Sequence, residues 1–173
     1  MTTVNLPSGL RPASPAPCPR ATVVVRAAGP EDAGALYRLS RVFVRTGELC
    51  ERPPWQYARD AGDFLIAESP MGGVEGCVAL RCGAERIGPA SARTAVLYNF
   101  CVAARSQGRG VGSALLRALL AEAVARPAAT VFTATSGGAE LFLRHGFTPA
   151  EDPAAWPAAL NPRRGSRVLR RAL

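Results

Sequence analysis

Lysine is absent from this 173-residue chain, so all 21 basic residues are arginine, set against 13 acidic residues for a net charge of +8. Without lysine, a GxxxxGK(S/T) phosphate loop cannot be present. Histidine occurs once, at His145, and the five cysteines, Cys18, Cys50, Cys77, Cys82 and Cys101, include no CxxC pair. An odd count without paired spacing argues against a disulfide framework and against a zinc site, so the cysteines read as small apolar residues and no metal is expected. Apolar runs are all too short for a transmembrane helix. Residues 1–19 lack the basic start and apolar block of a secretory signal, and the expected compartment is the cytoplasm. The arginine surplus suits a nucleic acid and a polyanionic small molecule equally well, so charge alone does not choose between them.

What is present suits one α/β domain. Hydrophobic residues make up 48% of the chain, enough to bury a sizeable core. Residues 1–21 carry five prolines and no hydrophobic period, and read as a flexible N-terminal extension before a domain over 22–173. The stretch that organises the rest runs from Thr94 to Arg126. Thr94 to Val102 is rich in β-branched and aromatic residues, which predicts a mostly buried strand. Gln107-Gly108-Arg109-Gly110-Val111-Gly112 follows, and Ser113 to Ala123 contains mainly strong helix formers. A strand feeding glycines feeding a helix is anion-binding geometry, because glycine allows close backbone approach and the first helical N–H groups lack internal acceptors.

Around that centre the spacing predicts a strand at Thr22–Arg26, a helix entered at Pro30 with Leu36, Leu39, Phe43 and Val44 at helical intervals, and a break at Gly47. A polar stretch at Trp55–Ala61 precedes an antiparallel hairpin, Asp63–Glu68 with Val74–Leu80, and residues 83–93 read as a variable connection. Beyond Pro127 come a strand, Thr130–Thr135, and a short helix closed by Gly146 in a left-handed cap. His145 sits at the negative end of that helix dipole and reads as structural. Cys101, beside the glycine loop, reads as a buried strand residue.

The loop matches (Q/R)xxGx(G/A) at Gln107, Gly110 and Gly112, and resembles the pyrophosphate loop of the GNAT superfamily of acetyl-CoA-dependent N-acetyltransferases. The strand-RxAxxxD-helix opening and the Phe142-Leu143-Arg144-His145-Gly146-Phe147 ending are similar to that family as well. The resemblance implies the GNAT fold, a mixed, mostly antiparallel sheet with splayed central strands flanked by helices. It implies acetyl-CoA as co-substrate, held by Phe100, Val102, Gln107, Gly108, Arg109, Gly110, Gly112 and Ser113. Many GNAT enzymes have, at the Phe142 position, a tyrosine that protonates the departing thiolate, a role that Phe142 cannot fill.

The C-terminal third, above all Asn161-Pro162-Arg163-Arg164-Gly165-Ser166-Arg167-Val168, looks like the acetyltransferase domain of the N-acetylglutamate synthase family, whose last strand follows an N-x-x-R-x-S-(K/R)-V segment. That resemblance implies acetyl transfer to the α-amine of an amino acid, L-glutamate first, for arginine biosynthesis. It puts carboxylate contacts at Arg164 and Ser166, adds Arg52 from the G-x-L-x-x-R segment, and leaves Arg163 and the other C-terminal arginines as surface charges. It gives the leaving-group acid to Thr135, whose hydroxyl could equally bond its own backbone. The family's usual glutamate base corresponds to Val96, which leaves water, Tyr98 and Glu48 open. A different small amine or amino acid is the alternative acceptor, and an acyl-CoA sensor or basic nucleic-acid-binding module the non-enzymatic one. The resemblance leaves a homodimer open.

Overall fold

The computed structural model describes residues 23–86 and 93–173, with side chains at 84–86 excepted. The expected extension at 1–21 lies outside the described residues. Seven strands form one sheet in the order β1-β2-β3-β4-β5-β7-β6. They are β1 (Val24–Ala27), β2 (Phe64–Glu68), β3 (Val74–Arg86), β4 (Arg93–Val102), β5 (Ala128–Thr135), β6 (Thr148–Pro149) and β7 (Arg167–Ala172). Only β4 and β5 pair in parallel; every other ladder is antiparallel.

Helices cover both faces. On one side α1 (Ala33–Arg45) and α2 (Pro54–Arg59) pack Leu36 and Tyr57 onto Phe64, Ile66, Cys77, Ala79 and Cys101. On the other, α3 (Val111–Ala125) buries Leu115, Leu116, Leu119 and Ala123, joined by Phe142 of α4 (Glu140–Arg144) and by Phe147. Gly76 of β3 allows the close approach of α3: a Cβ there would stand 2.9 Å from Leu115 Cδ1 and 2.9 Å from the Cys101 carbonyl. A third cluster, Val96, Phe132, Leu160 and Val168 with Trp156 against it, anchors the 150–166 segment to β4, β5 and β7. Trp156 Nε1 fixes that segment by donating to the Ala150 carbonyl at 3.0 Å.

Two features of the sheet position the site. The β4 and β5 ladder ends at the Leu97–Thr133 pair, so the strands part from Tyr98 onward. Between the Cys77–Cys101 and Ala79–Tyr98 pairs, β4 carries one residue more than β3, a bulge. Asn99 takes the left-handed conformation there, with φ of 51°, which asparagine tolerates better than most residues. Its side chain donates to Ser40 Oγ of α1 at 2.9 Å.

Several sequence expectations change. β3 continues to Arg86, so the variable connection is shorter than 83–93, and residues 87–92 lie outside the described residues. The polar stretch at 55–61 contains α2, which one buried residue, Tyr57, ties to the core. β2 starts at Phe64, leaving Asp63 in a preceding turn with its carboxylate free to point at β4. Gly146 does close α4 in the left-handed region, at φ of 78°.

Candidate active site

The parting of β4 and β5 opens a cavity of about 640 Å³ whose floor is the bulged half of β4 and whose end is the glycine loop. Phe100, Val102, Gln107, Gly108, Gly110, Gly112, Ser113 and Thr135 all line it. Gly108 and Gly110 are left-handed, at φ of 71° and 88°, a conformation a Cβ resists. Gly110 is the N-cap of α3, and the first intrahelical bond runs from Ala114 N to Gly110 O at 3.0 Å. The N–H groups of Val111, Gly112 and Ser113 are therefore left without an acceptor inside the helix, at its positive end. Gln107 Nε2 donates to the Val102 carbonyl at 3.0 Å, holding the loop against the strand it leaves. Arg109 sits exposed on the loop and lines no part of the cavity.

A second cavity of about 260 Å³ adjoins the first. Glu48, Leu97, Tyr98, Asn99, Ala134 and Ser136 belong to both walls, so the two spaces meet across the β4 bulge. Arg52, Arg81, Arg163 and Ser166 line the second cavity. Asp60 approaches three guanidiniums, at 3.6 Å from Arg52, 2.7 Å from Arg59 and 3.1 Å from Arg81, and Asp63 takes a second contact from Arg81 at 2.9 Å. Three cations against two carboxylates leave one positive charge over. Arg52 makes the longest of these pairs: its buried Nη1 faces Asp60 Oδ2 at 3.6 Å without a hydrogen-bond partner.

Tyr98 is held between two of these arginines, its ring centroid 4.7 Å from the Arg52 guanidinium carbon and 5.0 Å from that of Arg81. Its hydroxyl donates to Asp63 Oδ2 at 2.7 Å. Burial, then the Asp63 carboxylate, pushes the phenol well above its ordinary range. A phenol so held is no proton acceptor at neutral pH, which removes Tyr98 from the three bases left open by the sequence. Val96 is buried and apolar. Glu48 is the one acidic residue on either cavity wall; Thr46 Oγ1 donates to its Oε1 at 2.7 Å.

The structure does not bring every expected residue to the site. Arg164 is exposed and lines neither cavity. A turn closed by Ser166 N on the Arg163 carbonyl at 3.0 Å, with Gly165 at φ of 83°, turns Arg164 outward. Its neighbour Arg163, read from sequence as a surface charge, instead lines the second cavity and donates to the carbonyls of Gly47 and, at 3.2 Å, Leu49. Thr135 Oγ accepts from Gly137 N at 3.2 Å, which leaves its O–H free to donate. Ser136, on both walls, escaped the sequence reading, as did Arg81, Asp60 and Asp63; their roles depend on pairings that no local motif records. Cys101 is buried on the α1 side and lines neither cavity. His145 is drawn below its ordinary value by burial first and by Arg117, Arg171 and Arg144 next, so the neutral ring is favoured there over the cation its helix-end position suggested.

The profile of the acetyltransferase (GNAT) domain family matches residues 60–149, just over half of the chain. This chain belongs to the GNAT family of acetyl-CoA-dependent N-acetyltransferases. Among solved structures, the GNAT domain is similar to N-acetylglutamate synthase from Neisseria gonorrhoeae complexed with coenzyme A and N-acetyl-glutamate, with 24% identity and a TM-score of 0.76 over 89% of this chain and 36% of that one. The same enzyme complexed with coenzyme A and L-arginine matches at 25% identity and a TM-score of 0.72, over 89% and 34%. A Mycobacterium tuberculosis protein in complex with CoA matches at 24% identity and a TM-score of 0.72, over 87% of this chain and 99% of that one. The GNAT chain thus spans about a third of the length of the synthase. No curated protein sequence matches it significantly. Among the described residues no helix is long and apolar enough to cross a membrane, and no cluster of three His, Cys, Asp or Glu residues could hold a metal ion.

Proposed function

We propose that this GNAT protein transfers the acetyl group of acetyl-CoA to the α-amine of L-glutamate, giving N-acetylglutamate for arginine biosynthesis. The observation that carries the reading is the meeting of two cavities across the β4 bulge, with one carboxylate, Glu48, on both walls and Arg52, ion-paired only at a long 3.6 Å to Asp60, in the smaller. The larger suits a pantetheine arm ending in a pyrophosphate at the start of α3. The smaller suits an amino acid whose carboxylate meets Arg52 and Ser166, since a planar guanidinium binds carboxylate bidentately. Likeness to the synthase family in the Asn161–Val168 segment supports glutamate over other amino acids.

Acetyl-CoA supplies the thioester carbonyl. Glu48 takes a proton from the acceptor's ammonium, freeing the lone pair that forms the new C–N bond. Backbone N–H groups of β4, left unpaired by β5 beyond Leu97, face the oxygen on which charge develops. As the C–S bond breaks, the Thr135 hydroxyl gives its proton to the sulfur and is reprotonated, through water, by the second proton that the nitrogen sheds on becoming an amide. A thiol with a pKa near 8.5 needs only a weak acid.

A second reading, a different small amine or amino acid as acceptor, is favoured by the outward turn of Arg164, which takes one carboxylate contact away from the cavity. Incubating the protein with acetyl-CoA and a panel of glutamate, glutamine, aspartate and a polyamine, with free thiol monitored, separates the two. Glutamate in front supports the synthase reading; a different acceptor in front replaces it. No thiol release with any amine, coupled to salt-dependent DNA binding, would replace enzyme by nucleic-acid module.

A further inference from the structure

Gly108 and Gly110, both at positive φ, give the loop that starts α3 more backbone freedom than ordinary residues would. A loop that must present N–H groups to a ligand binds better when it is held in that arrangement beforehand. The Gln107 side chain on the Val102 carbonyl is one tie. A second set of ties converges on Glu75, the second residue of β3.

The Glu75 backbone carbonyl accepts from Ala103 N at 2.8 Å, just after β4 ends. Its carboxylate Oε2 accepts from the Ser106 hydroxyl at 2.5 Å and stands 3.0 Å from Arg105 Nε, while Oε1 accepts from Arg105 Nη2 at 3.1 Å. One residue thus fastens Ala103, Arg105 and Ser106, which lead from β4 into Gln107. The Glu75 side chain is 12% exposed and Ser106 is buried, whereas Arg105 is 67% exposed. Water therefore competes least for the Ser106 contact, and the exposed arginine contributes chiefly by cancelling charge. That cancellation matters, because a bare carboxylate near an anion-binding loop would repel the ligand. Neither Glu75 nor Ser106 lines the donor cavity, so any effect of theirs on the coenzyme runs through the loop. The two are 31 residues apart, and no local motif records the pairing.

We propose that Glu75 is a positioning residue for acetyl-CoA, acting through Ser106 to hold Gln107–Gly112 in the arrangement that receives the coenzyme. The inference rests on acetyl-CoA binding at that loop and is independent of which amine accepts the acetyl group.

Calorimetric Kd for acetyl-CoA, which needs no acceptor, and steady-state kinetics with both substrates varied provide the test. Glu75→Ala should raise the Kd and KM of acetyl-CoA by about tenfold, with kcat and the acceptor KM changed by less than about twofold. Glu75→Gln, whose side-chain carbonyl still accepts from Ser106, should regain most of that affinity. Ser106→Ala, a milder change to the fold, should weaken acetyl-CoA to within about threefold of Glu75→Ala, and the double variant should be no weaker than Glu75→Ala alone, since one link cannot be broken twice. A Glu75→Ala protein with a lower thermal midpoint but unchanged acetyl-CoA Kd would assign the residue to stability only and overturn the proposal. Losses that add in the double variant would overturn the action through Ser106. A native protein that binds no acetyl-CoA would overturn the coenzyme assignment and this proposal with it.

Discussion

Glu48 and Arg52 lie four residues apart in a loop, yet the proposed reaction gives them opposite tasks. One is the carboxylate common to both cavities and the other the cation left over by the Asp60 and Asp63 network. Glu48→Gln keeps the shape and removes the proton acceptor, so kcat should fall about 100-fold or more while the KM values for both substrates barely move. Stopped-assay kinetics with both substrates varied reads this directly, and an unchanged kcat would give the base to water. Arg52→Ala should instead raise the acceptor KM by about tenfold or more without changing the acetyl-CoA KM. At this scale the sequence was legible where a motif fixes the backbone, as at Gly110, and misleading where a turn decides direction. Arg163 and Arg164 are chemically identical neighbours, and only the turn at Gly165 determines which of them reaches the cavity.

At the scale of elements, the catalytic geometry depends on the β4 bulge and on the loop that starts α3. Asn99→Val forces a β-branched residue to φ of 51° and removes the donor to Ser40, so unfolding free energy should drop by about 2 to 4 kcal/mol in urea titration. Asn99→Gly, free of the strain, should lose clearly less, and equal losses would show that the hydrogen bond alone matters. Gly110→Val should weaken acetyl-CoA by about tenfold or more in calorimetry, since φ of 88° and backbone approach to the pyrophosphate both need glycine. The loop, the long helix and the parting of β4 from β5 could be anticipated because consecutive residues encode them or the family resemblance implies them. The bulge could not, since it exists only as a mismatch in length between β3 and β4. α2 was hidden for a related reason: with Trp55 exposed and only Tyr57 buried, six residues show no helical period.

For the whole molecule, acid stability follows from carboxylates held charged in the fold. Asp32 is held below the usual carboxylate range chiefly by its hydrogen bonds from Arg26, Asp60 chiefly by Arg59, and Glu75 chiefly by the Ser106 hydroxyl. Each folded value lies below the unfolded one, so the stabilisation is complete above the unfolded value, about 4, and is lost as pH falls through the folded value. Thermal midpoints should therefore be nearly flat from about pH 7 to 5 and fall steeply below about pH 4. Asp32→Asn should lower the midpoint at neutral pH and make the acid limb shallower; an unchanged acid limb would contradict the Arg26 pairing as its cause.

The most direct test of the central claim is the ratio of kcat/KM for L-glutamate over L-glutamine with acetyl-CoA saturating. The two acceptors differ in one carboxylate, and losing a charge-assisted contact costs about 2 to 3 kcal/mol, so glutamate should lead by well over tenfold. Equal values, or glutamine in front, would contradict glutamate as the acceptor.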